Sequence, residues 1–192
     1  MKVTTLFCIL AALSLTANIS AQEKSNPEVK MPASQAPEVG RKALDYTLPY
    51  ATKDTMVQEG MKLSDLYGKG PIILAFYPAD WSGGCTKEMC TLRDNFAALQ
   101  SLEAQIVAIS GDYVYSHHQW AKHHNLPFTL VSDYGGKVAK MYESWNEQYG
   151  MCKRTVFLID NQGKVAYRDL EYSIKDENDF NQLQQALADL KK

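Results

Sequence analysis

Outside the extreme N-terminus the chain carries three cysteines, Cys85, Cys90 and Cys152. A cysteine works as nucleophile or metal ligand through its thiolate, so its surroundings decide its chemistry. From Cys85 onward, Met89, Leu92, Phe96 and Leu99 recur at spacings of three and four, the period of an amphipathic helix. The spacing predicts one helix over residues 85–102, with Cys85 at its start. There the first backbone N–H groups lack intrahelical acceptors and the helix dipole is positive, and both favour a thiolate. Gly83 and Gly84 let the main chain come close to whatever binds beside the sulfur. The Ser82 hydroxyl can donate to, or accept from, the sulfur or a substrate oxygen.

Cys90 lies five residues after Cys85. In an intact α-helix the Cα atoms at i and i+5 are about 8–9 Å apart, beyond the ~7 Å that a disulfide spans. Inside a regular helix the two therefore cannot be statically bridged, and a bond between them requires the first turn to unwind. A reduced, helical state alternating with an oxidised, locally unfolded one is one reading. Two unrelated buried cysteines, or a fixed bridge in a loop, are the others, because Cys-x4-Cys alone is not a specific motif.

The elements that position these residues follow from pattern. Residues 72–77 (IILAFY) are apolar, rich in β-branched and aromatic types, and bounded by Gly70-Pro71 and Pro78, which predicts a buried strand. Strands are also expected at 105–110, 128–131 and 155–159, the last with a hairpin partner at 164–167 across Asn161-Gln162-Gly163. Helices are expected at 116–124, 137–142 and 177–190, the last capped by Asp176, with a helical turn at 63–67. Residues 44–51 and the segment near Met56 form a candidate hairpin. Early crossovers imply parallel pairing and the late hairpin antiparallel pairing. The expectation is an α/β fold of the thioredoxin-like type, a mixed central sheet with helices on both faces.

Composition bounds the rest. A chain of 192 residues with 45% hydrophobic and 22% charged residues suits one globular domain plus an appendage. Lys2 followed by the apolar run 6–15 reads as a signal peptide over 1–21, with an uncleaved anchor as the alternative. Residues 22–39, with three prolines, read as a flexible linker, leaving a domain over 40–192. Lys2 is the only charged side chain before Gln22, so cleavage after Ala21 takes the net charge from −2 to −3. No nucleic-acid partner and no stable membrane association after cleavage are expected. Export to a bacterial periplasm or extracellular space permits disulfides. An odd set of three cysteines suits redox chemistry better than a structural framework.

The stretch 76–94, FYPADWSGGCTKEMCTLRD, resembles the active-site signature of the peroxiredoxin family (AhpC/TSA type). The pattern Pro-x-x-x-Thr/Ser-x-x-Cys is met by Pro78, Ser82 and Cys85. Gly84-Cys85-Thr86, Glu88 and Arg93-Asp94 extend the match. A second cysteine five residues on is typical of the peroxiredoxin Q (bacterioferritin comigratory protein) subgroup. Ser132-Asp133 and the strand led by Arg154 fit it too, and the resemblance runs over about 40–169. It departs at Gly83, where the family usually has proline, and Trp81 is a bulky neighbour of Ser82. The resemblance implies a thiol-dependent peroxidase without cofactor or metal. Cys85 would attack hydrogen peroxide or an organic hydroperoxide and become a sulfenic acid, and Cys90 would resolve it as a disulfide. Arg154, Ser82 and the backbone near Gly84 would orient the peroxide, with Pro78 and Glu88 in support. A thioredoxin-like reductant would close the cycle, and a monomer suffices for an intrachain resolving cysteine.

In an extended strand Cys152 would share a face with Arg154, so it is either an alternative resolving thiol or inert, the latter favoured. His117-His118 and His123-His124 do not fall at the i, i+4 ligand spacing and read as solvated or capping residues. An exported thiol–disulfide oxidoreductase is the runner-up function, although such enzymes use Cys-x-x-Cys. A copper- or haem-maturation protein on the same fold is a third.

Overall fold

The apolar run after Pro71 becomes strand β3 (Ile72–Phe76), buried along its whole length. Its position is described in a computed structural model that covers residues 36–173 and 175–191. The expected signal segment and most of the linker lie outside the described residues. Five further strands join β3 or its neighbours: β1 (Thr47–Ala51), β2 (Met56–Lys62), β4 (Gln105–Ser110), β5 (Thr129–Ser132) and β8 (Thr155–Ile159). A seventh, β9 (Val165–Asp169), closes one edge, giving the order β2-β1-β5-β4-β3-β8-β9. β3, β4 and β5 run parallel. The β1–β2 hairpin and the β8–β9 hairpin pair antiparallel, and β8 lies antiparallel to β3. The mixed sheet expected from the order of crossovers and hairpins is the one observed.

Because successive side chains on a strand point to opposite faces, β3 feeds two cores. Ile73 and Ala75 join Met89, Leu92, Trp120 and Leu183 on one face. These come from helices α1 (Gly83–Asp94), α3 (Val114–His124) and α5 (Glu177–Asp189). Ile72, Leu74 and Phe76 join Val138, Ala139, Tyr142 and Phe157 on the other, under α4 (Lys137–Met141). Helices thus cover both faces, as the fold class requires. Ala36 and Pro37 are buried, and Arg168 donates to both their carbonyls, so packing against the domain starts ahead of Gly40.

Two expectations need correction. The single helix over 85–102 is two, α1 and α2 (Phe96–Ser101), and α1 begins at Gly83 rather than Cys85. The break is Asn95, whose backbone leaves helical geometry at φ −96° and ψ 4° while its side-chain amide donates to the Thr91 carbonyl at 2.9 Å. A residue whose side chain satisfies the backbone locally competes with helix continuation. A small antiparallel pair, β6 (Trp145–Asn146) with β7 (Met151–Cys152), also went unanticipated. Strands this short carry no periodicity to read.

Replacement of Leu74 by Ala, in the central strand and fully buried, is expected to cost about 2–5 kcal/mol through lost burial and a cavity. The urea unfolding midpoint of the variant against wild type checks it.

Candidate active site

The segment that follows β3 and the residue that precedes β8 meet at one edge of the sheet and build the site. β3 ends at Phe76, and the Tyr77 N–H still donates to the Ile109 carbonyl at 3.0 Å. Pro78 has no N–H to continue the ladder, so the chain turns out over 78–82 and enters α1. Ser82 caps that helix: its hydroxyl accepts from the Cys85 N–H at 3.3 Å and donates to the Ala79 carbonyl at 3.2 Å. Its carbonyl takes the first helical bond from Thr86 at 2.9 Å. Cys85 therefore sits in the first turn of α1, its side chain fully buried, with exposed Gly83 and Gly84 beside it.

Arg154 stands at the same edge of the sheet, immediately ahead of β8, whose Thr155 pairs with Phe76. Its Nη2 donates to Cys85 Sγ at 3.3 Å, and its Nη1 donates to Glu88 Oε2 in a close ion pair. Glu88 follows Cys85 by three residues on the same buried face of α1. Gly84 explains how the guanidinium fits: a Cβ there would stand 2.8 Å from Arg154 Nη2. At Gly83, by contrast, a Cβ would meet nothing within 4 Å.

Burial sets the charge balance. Glu88 is 2% exposed, and burial pushes its carboxyl up to about 7 against the opposing pull of Arg154. Its other oxygen, Oε1, has no hydrogen-bond partner among the described residues. Burial works against the Arg154 charge as well, but Glu88 and Cys85 outweigh it and raise that group. Of these opposing directions, the close contact favours the ionised pair at and above neutrality, with Glu88 the member that takes up a proton as pH falls. Tyr172 packs nearby, and burial together with the Glu88 charge pushes its phenol up.

Ser82, Gly84, Cys85, Glu88 and Arg154 are thus brought together, with Pro78 supplying the turn. Cys90 lies on the same unbroken helix, half-buried and unbridged, on the side where Arg93 reaches across to donate to the His124 carbonyl at 2.8 Å. Cys152 does not join the site. It is 1% exposed, in the core on the far face of the sheet, and burial pushes its thiol up strongly. Among the described residues no three His, Cys, Asp or Glu side chains cluster as metal ligands.

Sequence reasoning missed one buried polar cluster. His117, read as solvated or capping, is fully buried. Its ring reaches Asp80 and Val131, and the Tyr77 hydroxyl also donates to Asp80. The signal was present: His117 falls with Val114, Trp120 and Ala121 on the buried stripe of α3.

The AhpC/TSA family model matches residues 39–168. The chain belongs to the AhpC/TSA family. It is 35% identical over 145 residues to peroxiredoxin Bcp of Bacillus subtilis, an alignment spanning 72% of this chain and 88% of that one. It is 41% identical over 120 residues to the chloroplastic peroxiredoxin Q of Sedum lineare, covering 61% of this chain and 62% of the relative. Among solved structures, peroxidoxin BcpB of Mycobacterium tuberculosis superposes with a TM-score of 0.65 at 31% identity, over 81% of this chain and 97% of that one. The AhpC/TSA membership and the thioredoxin-like fold expected from the motif both follow, and the relatives' names carry the peroxiredoxin enzyme class expected with them.

Glu88 yields a prediction with a definite sign. Its carboxyl lies higher in the folded chain, at about 7, than the ordinary 4.5, so the folded state holds the proton between those values. That stabilisation is complete below pH about 4.5 and is lost as pH rises through about 7. Wild type is expected to lose more stability between pH 5 and 8 than Glu88→Gln, measured as the difference in urea midpoints at the two pH values.

Proposed function

We propose that this chain is an exported thiol peroxidase that reduces hydrogen peroxide and organic hydroperoxides through Cys85, with Cys90 as the resolving thiol. The observation that carries the reading is the Arg154 guanidinium at 3.3 Å from a buried cysteine sulfur in the first turn of a helix. Positive charge on one side and first-turn N–H groups on the other meet the negative charge that develops as an O–O bond breaks.

The steps balance simply. The Cys85 thiolate attacks the nearer peroxide oxygen, an S–O bond forms, the O–O bond breaks, and the departing oxygen takes a proton to leave as water or alcohol. Cys85 is then a sulfenic acid. Arg154 holds both the sulfur and the peroxide oxygens, and Ser82 and the N–H groups around Gly84 orient them. The Cys90 thiol next displaces water from the sulfenic acid to form the disulfide. On an intact α1 the two are too far apart, so the first turn must unwind. A dithiol reductant of thioredoxin type returns both thiols by exchange.

Export rests on the N-terminal pattern of Lys2 and the apolar run 6–15, and a monomer suffices because an intrachain resolving cysteine needs no partner subunit. Among the described residues no helix is long and apolar enough to cross a membrane.

The test is a stoichiometric titration of the reduced mature protein with hydrogen peroxide, read by intact mass and peptide mapping. Loss of two hydrogens with a Cys85–Cys90 link is expected. A link through Cys152 or to a second chain would move the resolving step, and no reaction at Cys85 would sink the reading. Cys90→Ser is expected to stop at the sulfenic acid and lose turnover with a dithiol reductant. Arg154→Gln is expected to slow Cys85 oxidation by about 10²–10³-fold, the cost of removing one such donor, in a rapid-quench assay.

A further inference from the structure

The turn that presents Cys85 lacks the proline its family usually has at residue 83, yet something holds it. Its central residue, Asp80, is five residues ahead of Cys85 and has a buried side chain. Three donors surround that carboxylate: the Tyr77 hydroxyl at 2.8 Å, the Ser116 hydroxyl at 2.7 Å and His117 Nδ1 at 2.9 Å. The Asp80 main chain is tied as well, its N–H donating to Asp112 Oδ2 at 2.8 Å. Burial and the Asp80 charge hold the Tyr77 phenol well above its ordinary range, so it remains a donor.

His117 is committed at both nitrogens. Nε2 lies 3.1 Å from the Val131 carbonyl, which can only accept, so Nε2 carries hydrogen. Nδ1 lies within hydrogen-bonding distance of the Asp80 carboxylate and of the Tyr77 hydroxyl, at 2.9 and 3.3 Å. A buried pair with its polar atoms satisfied fixes geometry strongly, while a half-satisfied one is costly. The next residue, Trp81, sits in the left-handed region at φ 60°, an unfavourable conformation for a bulky side chain. Its indole N–H donates to the same Ser116 hydroxyl at 3.2 Å. From Asp80 and Trp81 the chain passes directly to Ser82, the cap of the Cys85 helix.

We propose that Asp80 and His117 are positioning residues for Cys85: anchored on α3, they hold the turn over 78–82 so that Ser82 caps α1. The proposal rests on the peroxidase reading above. Neither residue touches the sulfur; both act through Ser82. The site is compatible with the missing proline. Gly83 is the first residue of α1, where proline is favoured. Ser82, at φ −76° and ψ 142°, has the extended backbone required ahead of proline, and a Cβ at Gly83 meets nothing.

That compatibility supplies the experiment, a double-mutant cycle. The second-order rate constant for Cys85 oxidation by hydrogen peroxide is measured in single turnover, by rapid quench and intact mass. His117→Asn is measured against wild type and then in the Gly83→Pro background. In the wild-type background a loss of about tenfold or more is expected, as for a displaced reacting group. In the Gly83→Pro background the same substitution is expected to cost less than about threefold, because the turn is held independently. Equal losses in both backgrounds would overturn the proposal and leave His117 a core residue only; so would the absence of any loss. If His117→Asn does not fold by circular dichroism, Ser116→Ala replaces it. That change removes a donor to Asp80 and the acceptor of Trp81 while keeping His117, and a smaller loss, again relieved by Gly83→Pro, is expected. A wild-type chain that does not react with peroxide overturns the peroxidase reading itself, and the proposal with it.

Discussion

Arg154 reaches Cys85 across the gap between the start of β8 and the first turn of α1, and much of the local structure is shaped to let it. The guanidinium is planar and always charged, with donors in a fixed fork. One prong goes to the sulfur and another to Glu88. That geometry needs a carboxylate one helical turn beyond the cysteine, which places Glu88 inside the core. It also needs a position without a side chain at 84. The antiparallel pairing of β8 with β3 then sets how far Arg154 stands from a helix that grows from the end of β3. Cysteine, glycine, glutamate and arginine are therefore one unit, contributed by segments far apart in the chain.

Burying Glu88 carries a cost that the ion pair offsets only in part. One carboxylate oxygen is paired and the other has no partner among the described residues, and Glu88 itself is shielded from solvent. A chain selected for stability alone would fill such a position with an apolar side chain. Retaining the charge fits the opening of α1 that the proposed Cys85–Cys90 disulfide requires. Cys85 lies in the first turn of α1 and Glu88 in the next, while Leu92 and the Arg93 contact to the end of α3 lie beyond Cys90. The half of the helix ahead of Cys90 is thus the half containing the less comfortable group.

The strands were legible because β3, β4 and β8 are near-continuous apolar runs bounded by turn residues, and covered faces produce that pattern. The Cys85, Ser82 and Arg154 grouping was legible from the motif, since no periodicity links a residue at 154 to one at 85. The break at Asn95 was hidden because the apolar spacing of Leu92, Phe96 and Leu99 continues through it. Asp80 was hidden for another reason. A lone carboxylate in a loop looks solvated, and only the folded chain shows Tyr77, Ser116 and His117 closing around it. His117 was disguised by His118, which made a buried residue look like half of a surface pair.

Trp81 gives the turn an optical signature. Of the three tryptophans, Trp120 is wholly enclosed, whereas Trp81 is 54% exposed and lies against the rings of His123 and His124 at 5.5 and 6.3 Å. It is four residues from Cys85, on the segment that any unwinding of α1 must drag. Its indole emission would report the ring's departure from those imidazoles, and so any unwinding of α1 that the proposed cycle requires.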